Sequence, residues 1–201
     1  LPLTVTEHGF STDELIVLNK DAMTLYELDV KPTVLVANLP YNISVPVLLN
    51  VLEHFPSIAR GVVMVQTEVA QRLAALPNNK DYGAPTVKAN WWSTLDLSAS
   101  VSRSVFWPIP NVDSSLVRFD RHPPLGDEVQ RVATFTIIDQ AFAKRRKMMR
   151  SALSQLLGAN AVNLLEAAGI DPTIRGEALS VKQFLAIGKE LIQQNSTPLD
   201  T

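Results

Sequence analysis

Thr33-Val34-Leu35-Val36-Ala37, running directly into Asn38-Leu39-Pro40-Tyr41-Asn42-Ile43-Ser44, is the stretch on which the fold turns. The first five residues are short in span, rich in β-branched side chains and bounded by Pro32 and Pro40. That pattern predicts a buried strand ending at Asn38. An amide, a proline and an aromatic therefore stand at a strand's carboxyl end. In open α/β sheets ligands bind there, because strand ends converge on a crevice and the following loop is free to carry chemistry.

This set of groups suits one kind of chemistry. The lone pair of a nucleobase amine is delocalised into its ring, so a catalyst must draw that nitrogen towards tetrahedral geometry before it becomes nucleophilic. Two hydrogen-bond acceptors can do so: the side-chain carbonyl of Asn38 and a backbone carbonyl beside Pro40, a residue that contributes no competing N–H. Tyr41 then offers a flat face, and stacking a base on an aromatic ring is worth roughly 1–3 kcal/mol. Taken alone, Asn-x-Pro-Tyr reads more simply as a strand and turn with Asn38 satisfying backbone groups and Tyr41 half-buried.

On the N-terminal side, residues 1–12 give no clear element. Glu14-Leu15-Ile16-Val17-Leu18-Asn19 predicts a further strand, with Lys20-Asp21-Ala22-Met23 at its end. If both strands run parallel in one sheet, Asp21 and Asn38 face one crevice, and Asp21 can accept from an adenosine's amine. On its own, Asp21 is more simply the cap of the turn that follows. On the C-terminal side, Ser44 is placed to cap a helix over Val45–His54, with Pro46 in its first turn and Val47, Leu48, Val51 and Leu52 as its apolar stripe. Gly61–Gln66 predicts a strand and Glu68–Leu76 a helix. The segment 77–83 predicts a mobile polar loop, and Ala84–Ser93 a helix with Trp91 and Trp92 as core. Leu95–Val105 predicts a strand with Leu97, Ala99 and Val101 inward. Phe106–Ser114 is a proline-stiffened loop, for which the plain alternative packs Phe106 and Trp107 as core. Ser115–Phe119 closes the sheet.

Beyond residue 121 the pattern turns helical: Glu128–Ala143, Arg150–Leu157, Ala161–Ala168 and Val181–Gln193. A boundary therefore falls near residue 122, dividing the chain into 1–121 and a small helical unit, 122–201, expected to have little core of its own. The whole chain has 201 residues, 46% of them hydrophobic, and a net charge of −2. Basic residues concentrate in the second part, where Lys144, Arg145, Arg146, Lys147 and Arg150 fall within seven positions. A helix terminus explains part of that run. Five cations exceed what it requires, and a phosphate-binding patch is expected. The chain contains no cysteine, which excludes disulfides and thiolate metal sites. The spacing of His8, His54 and His122 suggests neither a metal site nor a triad. No apolar run approaches membrane-spanning length, and the sequence reads as a cytoplasmic protein with no membrane partner.

With these pieces together the chain resembles the KsgA/RsmA family of ribosomal RNA adenine dimethyltransferases. The resemblance rests on Asp21-Ala22-Met23; Asn38 to Ser44; Phe106-x-Pro108-x-Pro110-x-Val112-Asp113-Ser114 leading to Val117-Arg118; and Ala141-Phe142-x-x-Arg145-Arg146-Lys147-x-x-Arg150. It extends to Ala168-Gly169-Ile170-Asp171-Pro172 with Arg175, Glu177, Leu179 and Ser180. It implies an α/β fold, with a Rossmann-like class I methyltransferase sheet incomplete at its N-terminus and a small all-helical C-terminal domain that docks on RNA. It also implies S-adenosylmethionine as methyl donor, two adjacent adenines near the 3′ end of 16S ribosomal RNA as target, and the immature 30S subunit as partner of a monomer. By position, Asp21 resembles the residue holding the donor's adenine, and Asn38 the residue shared by donor and target amine. Leu39 and Pro40 complete that motif, Tyr41 resembles the stacking platform and Phe106 the aromatic on the base's other face. The sequence departs from the family in having no match to its opening glycine-rich loop. Only eight glycines occur and none forms a GxGxG run. The expectation is therefore an N-terminally truncated member that binds donor weakly and is inactive alone. The alternatives are a non-catalytic RNA-binding module of ribosome assembly and a large-subunit adenine methyltransferase of the resistance type.

Overall fold

The structure, a computed structural model, describes residues 14–196 together with 4, 7–9 and 11. Most of residues 1–12 therefore lie outside the described residues. Strand β1 (Val34–Asn38) leads through helix α1 (Ser44–His54) to strand β2 (Arg60–Gln66). The two strands pair in parallel, with Asn38 opposite Met64. Helices α2 (Thr67–Leu73) and α3 (Ala84–Ala89) precede a β3 (Ser93–Val101) and β4 (Ser114–Arg121) hairpin. The sheet order is β1-β2-β4-β3, with both contacts of β4 antiparallel. Ser115–Phe119, expected as the closing strand, is thus interior, because the hairpin folds β4 back between β2 and β3.

The strand leading to Asn38 ends where the sequence placed it, but it is not buried. Val34 is exposed, and Val36 is 81% exposed. Alternation explains why. Val63, Val65, Val117, Phe119 and Leu95 point to one face, where they pack against Leu48 and Leu52 of α1, Ala70 and Leu73 of α2, and Trp91. The opposite face, with Val34, Val36, Val62 and Arg118, has no helix over it among the described residues, and β1 lies at the sheet edge. The close spacing on the covered side requires Gly61, where a Cβ would lie 2.5 Å from the Phe119 ring and 2.6 Å from the Leu35 carbonyl.

The expected strand at Glu14–Asn19 does not form. Leu15, Ile16, Val17 and Leu18 are all exposed, and no described segment offers them a ladder. A strand's hydrogen bonds belong to its neighbour, so an apolar run without a partner stays irregular. The stretch just after it is anchored to α1, where Asn50 Nδ2 donates to the carbonyls of Ala22 and Leu25 at 3.1 and 2.9 Å.

Other expectations need smaller corrections. Ser44 lies inside α1 rather than capping it, and its buried hydroxyl donates back to the Tyr41 carbonyl at 3.3 Å. Helix α3 stops at Ala89, leaving Trp91 and Trp92 in a tight turn but buried as expected. On β3 only Ser93 and Leu95 are buried. Leu97 lies opposite Val117 and keeps the inner side, but at the edge strand it is half-uncovered, and the register shift after it pairs Ala99 with Leu116 and turns Ala99 outward. The polar loop 77–83 is pinned rather than loose: the Asn78 N–H donates to the Glu177 carbonyl (2.8 Å), and the buried Tyr82 hydroxyl donates to the Leu179 carbonyl (2.8 Å).

After β4, the Asp127 carboxylate accepts the Gln130 N–H at 2.8 Å and starts helix α4 (Glu128–Ala143), at the boundaries the periodicity predicts. Helices α5 (Met149–Leu157), α6 (Ala161–Ala167) and α7 (Val181–Ser196) follow. Contrary to expectation these helices have a core, built on Ile137, Ile138, Met149, Leu153, Leu164 and Phe184. It also takes in Tyr82 and Val87 from the sheet side. Helices α4 and α7 approach closely at Gly188, where a Cβ would fall 2.6 Å from Thr134 Oγ1.

Candidate adenine and RNA site

The turn after β1 is built by its own backbone. The Leu39 N–H donates to the Met64 carbonyl (3.1 Å), continuing the ladder, while Pro40's carbonyl accepts the Ile43 N–H (3.2 Å) and opens α1. The Pro40 carbonyl is therefore engaged in the turn, and the Leu39 carbonyl preceding the ring becomes the candidate second acceptor. Leu39 itself is buried in the core and fixes the loop. The exposed Asn38 carboxamide has no hydrogen-bond partner among the described residues, so its acceptor oxygen is free.

Tyr41 is half-buried and its ring is fixed at the far end: its hydroxyl lies 2.7 Å from Ser114 Oγ, a fully buried group at the start of β4. Sequence reasoning quoted Ser114 within a motif but assigned it no role. The contact spans 73 positions, and the only local signal was a serine closing a proline-rich loop. That loop starts from a single turn at Arg103–Val105 and has its neck closed by Asp113, whose carboxylate accepts the Arg103 N–H at 3.1 Å. The Thr67 N–H donates to the Asp113 carbonyl at 3.0 Å. The folded-back loop brings Phe106, Trp107, Pro108 and Pro110 against Asn38, Leu39, Pro40 and Tyr41 around one open cavity of about 370 Å³. That volume suits a small planar ligand. Tyr41 and Phe106 are both partly exposed and both line this cavity, and neither is paired with another aromatic ring among the described residues. Trp107, for which core packing was the plain alternative, is 94% exposed at the rim.

Asp21 does not join this group. It lines a separate cavity with Lys20, Thr24 and Tyr26, and its carboxylate accepts the Met23 N–H at 2.9 Å. The shared crevice required two parallel strands, and only one of them forms. What remains is the turn cap.

The basic cluster falls between α4 and α5 as expected, but its members differ. Lys144, Arg146, Lys147 and Arg150 are exposed. Arg145 is committed: its Nε donates to Glu177 at 3.1 Å and its Nη2 to the Lys80 carbonyl. A bridge between Met148 and Arg175 sets Arg175 beside the cluster. Asp171 accepts the backbone N–H and hydroxyl of Thr173, and those bonds, with a smaller contribution from nearby Arg150, hold its carboxyl below the usual range. No group of three or more acidic or histidine side chains able to hold a metal occurs among the described residues, and no helix among them is long and apolar enough to cross a membrane.

Two solved structures with this fold are methyltransferases. A dimethyladenosine transferase from Plasmodium falciparum superposes with a TM-score of 0.75 at 21% identity, covering 96% of this chain and 78% of its own. The 23S rRNA methyltransferase ErmE superposes at 0.63 with 22% identity, covering 95% and 76%. The fold is thus that of the class I methyltransferases, an α/β sheet followed by helices. Residues 3–193 match the ribosomal RNA adenine dimethylase family, and the chain belongs to it. Ribosomal RNA small subunit methyltransferase A of Streptomyces griseus is 52% identical over 181 residues, and that of Leifsonia xyli 50% over 191. These alignments cover 88% and 93% of this chain but 62% and 68% of the relatives, so the chain spans about two thirds of their length.

Proposed function

We propose that this chain is the target-facing part of an enzyme that dimethylates the exocyclic amines of two adjacent adenines near the 3′ end of 16S ribosomal RNA during assembly of the small subunit. The observation that carries the reading is the single cavity uniting Asn38, Leu39, Pro40, Tyr41 and Phe106 from two segments of chain far apart in sequence. An adenine lifted from its stack enters between Tyr41 and Phe106. Its amine donates one hydrogen to Asn38 Oδ1 and the other to the Leu39 carbonyl, which localises the nitrogen lone pair. Positioning and acceptor geometry then supply the catalysis. The small-subunit names of the relatives support this target over a large-subunit one.

S-adenosylmethionine is the donor implied by family membership, and it supplies an electrophilic methyl group. The described residues fit it only in part. Asp21 and Asn38 line different cavities, and no glycine of positive φ stands at a strand's carboxyl end among the described residues. No step is therefore assigned through it. The same separation favours a second reading, a non-catalytic RNA-binding module. Residues 122–201 are the RNA-docking domain in this proposal and 1–121 the methyltransferase domain, with Lys144, Arg146, Lys147 and Arg150 meeting phosphates. The protein works as a monomer in the cytoplasm.

The test is transfer of labelled methyl groups to immature small subunits by the longest protein that carries this sequence. Asn38→Ala is expected to lower kcat at least 100-fold, the scale of a lost transition-state hydrogen bond. Transfer that survives the substitution would sink the catalytic assignment, and absence of transfer by the wild type would favour the module.

A further inference from the structure

We propose that Trp107 is a second stacking platform, taking the nucleobase that flanks the target adenine in single-stranded RNA. The proposal deepens the reading of the adenine cavity and rests on it. Trp107 is the most exposed large hydrophobic residue described, at 94%, whereas Trp91 and Trp92 are 1% and 4% exposed. An indole of roughly 150–250 Å² left in water is a binding surface in want of an occupant. Its neighbours Val105 and Ile109 are exposed as well, at 68% and 59%.

The placement indicates the occupant. Trp107 lines the same cavity as Asn38 and Tyr41, so whatever covers the indole lies next to whatever fills the cavity. A flipped base leaves its neighbour unstacked on one side, and an aromatic at the rim restores that contact for any base, since every base has a π-face. The loop that carries the indole is braced: Asp113 closes the loop neck onto the Arg103 N–H, the Arg103 guanidinium reaches the Asn111 carbonyl at 3.5 Å, and Pro108 and Pro110 stiffen the tip. The loop backbone therefore has less freedom to lose on binding. The exposed cation of Arg103 on the same loop gives the sign of charge that a phosphate backbone requires.

The experiment uses this chain and a labelled single-stranded oligoadenylate, read by anisotropy of the label and by tryptophan emission. With Trp91 and Trp92 buried, Trp107 supplies the solvent-exposed emission. Binding is expected to quench it, and Trp107→Leu is expected to weaken affinity about 5- to 150-fold, while Trp107→Phe retains most of it. Leucine preserves an apolar contact without a π-face, so the leucine and phenylalanine variants separate stacking from general hydrophobic docking. If Trp107→Leu binds as tightly as wild type, or emission stays unchanged when anisotropy shows saturation, the platform is refuted while the adenine cavity stands. If wild type shows no anisotropy change, the RNA reading falls and the platform with it.

Discussion

Arg121 is where removal of one side chain should loosen the end of α1 from the sheet. It ends β4, and its guanidinium is half-buried under the C-terminus of α1, with Nε donating to the Ile58 carbonyl at 2.7 Å and Nη2 to those of Leu52 and Phe55 at 2.8 and 3.2 Å. A helix leaves its last carbonyls unpaired and carries partial negative charge there, so one cation answers both needs. Burial lowers the guanidinium's pKa, the opposite of what its partners would do, which marks how far it is drawn from water. Hydrogen bonds to charged groups contribute about 1.5–3 kcal/mol each. Three bonds sharing one group, part of it still wet, are not additive. Arg121→Met keeps the aliphatic stem and is expected to cost about 3 kcal/mol. With an m-value of about 2 kcal/mol/M in urea, the midpoint falls by about 1.5 M. Arg121→Lys keeps the charge but lacks the planar fork, and should fall between the two. Amide exchange should quicken at the C-terminal end of α1 before the core of β2. A midpoint for Arg121→Met within about 0.3 M of wild type would show that water serves those carbonyls equally well, and the reasoning would fail.

Burial pushes the Tyr82 phenol from 10.0 up to about 12. The neutral form is thus favoured in the folded state, and stability present below pH 10 should fall as the pH rises from about 10 to about 12, by at most about 3 kcal/mol, a slope that Tyr82→Phe should remove in alkaline denaturation curves. Gly188→Ala gains about 1 kcal/mol of helix propensity but sets a methyl group against Thr134 backbone and hydroxyl, and a net loss of about 1–2 kcal/mol is expected; a melting temperature at or above wild type would show that α4 and α7 can separate freely. Arg145→Ala should lower the melting temperature because it breaks contacts to Glu177 and Lys80. Arg146→Ala and Lys147→Ala should leave melting unchanged, and each should reduce the slope of log affinity for RNA against log salt by about 1.

Local sequence carried much of this protein. The strand that stops at Asn38, the bounds of α4 and the burial of Trp91 and Trp92 were legible because periodicity, caps and turn residues act over a few positions. Asn38, Leu39, Pro40 and Tyr41 were legible as a set from their place after a strand, Phe106 joined them only through the family resemblance, and the fold brings all five to one cavity. Leu15–Leu18 have the composition of a strand, yet a strand is made by its neighbour, and none is offered among the described residues. Asp21 parts from Asn38 for the same reason. The Ser114 contact that fixes Tyr41, the engagement of Arg145 and the exposure of Trp107 all depend on which segments fold back against which. A residue's chemistry is written at its own position, but whether it is covered, paired or left in water is settled by atoms that the chain brings from elsewhere.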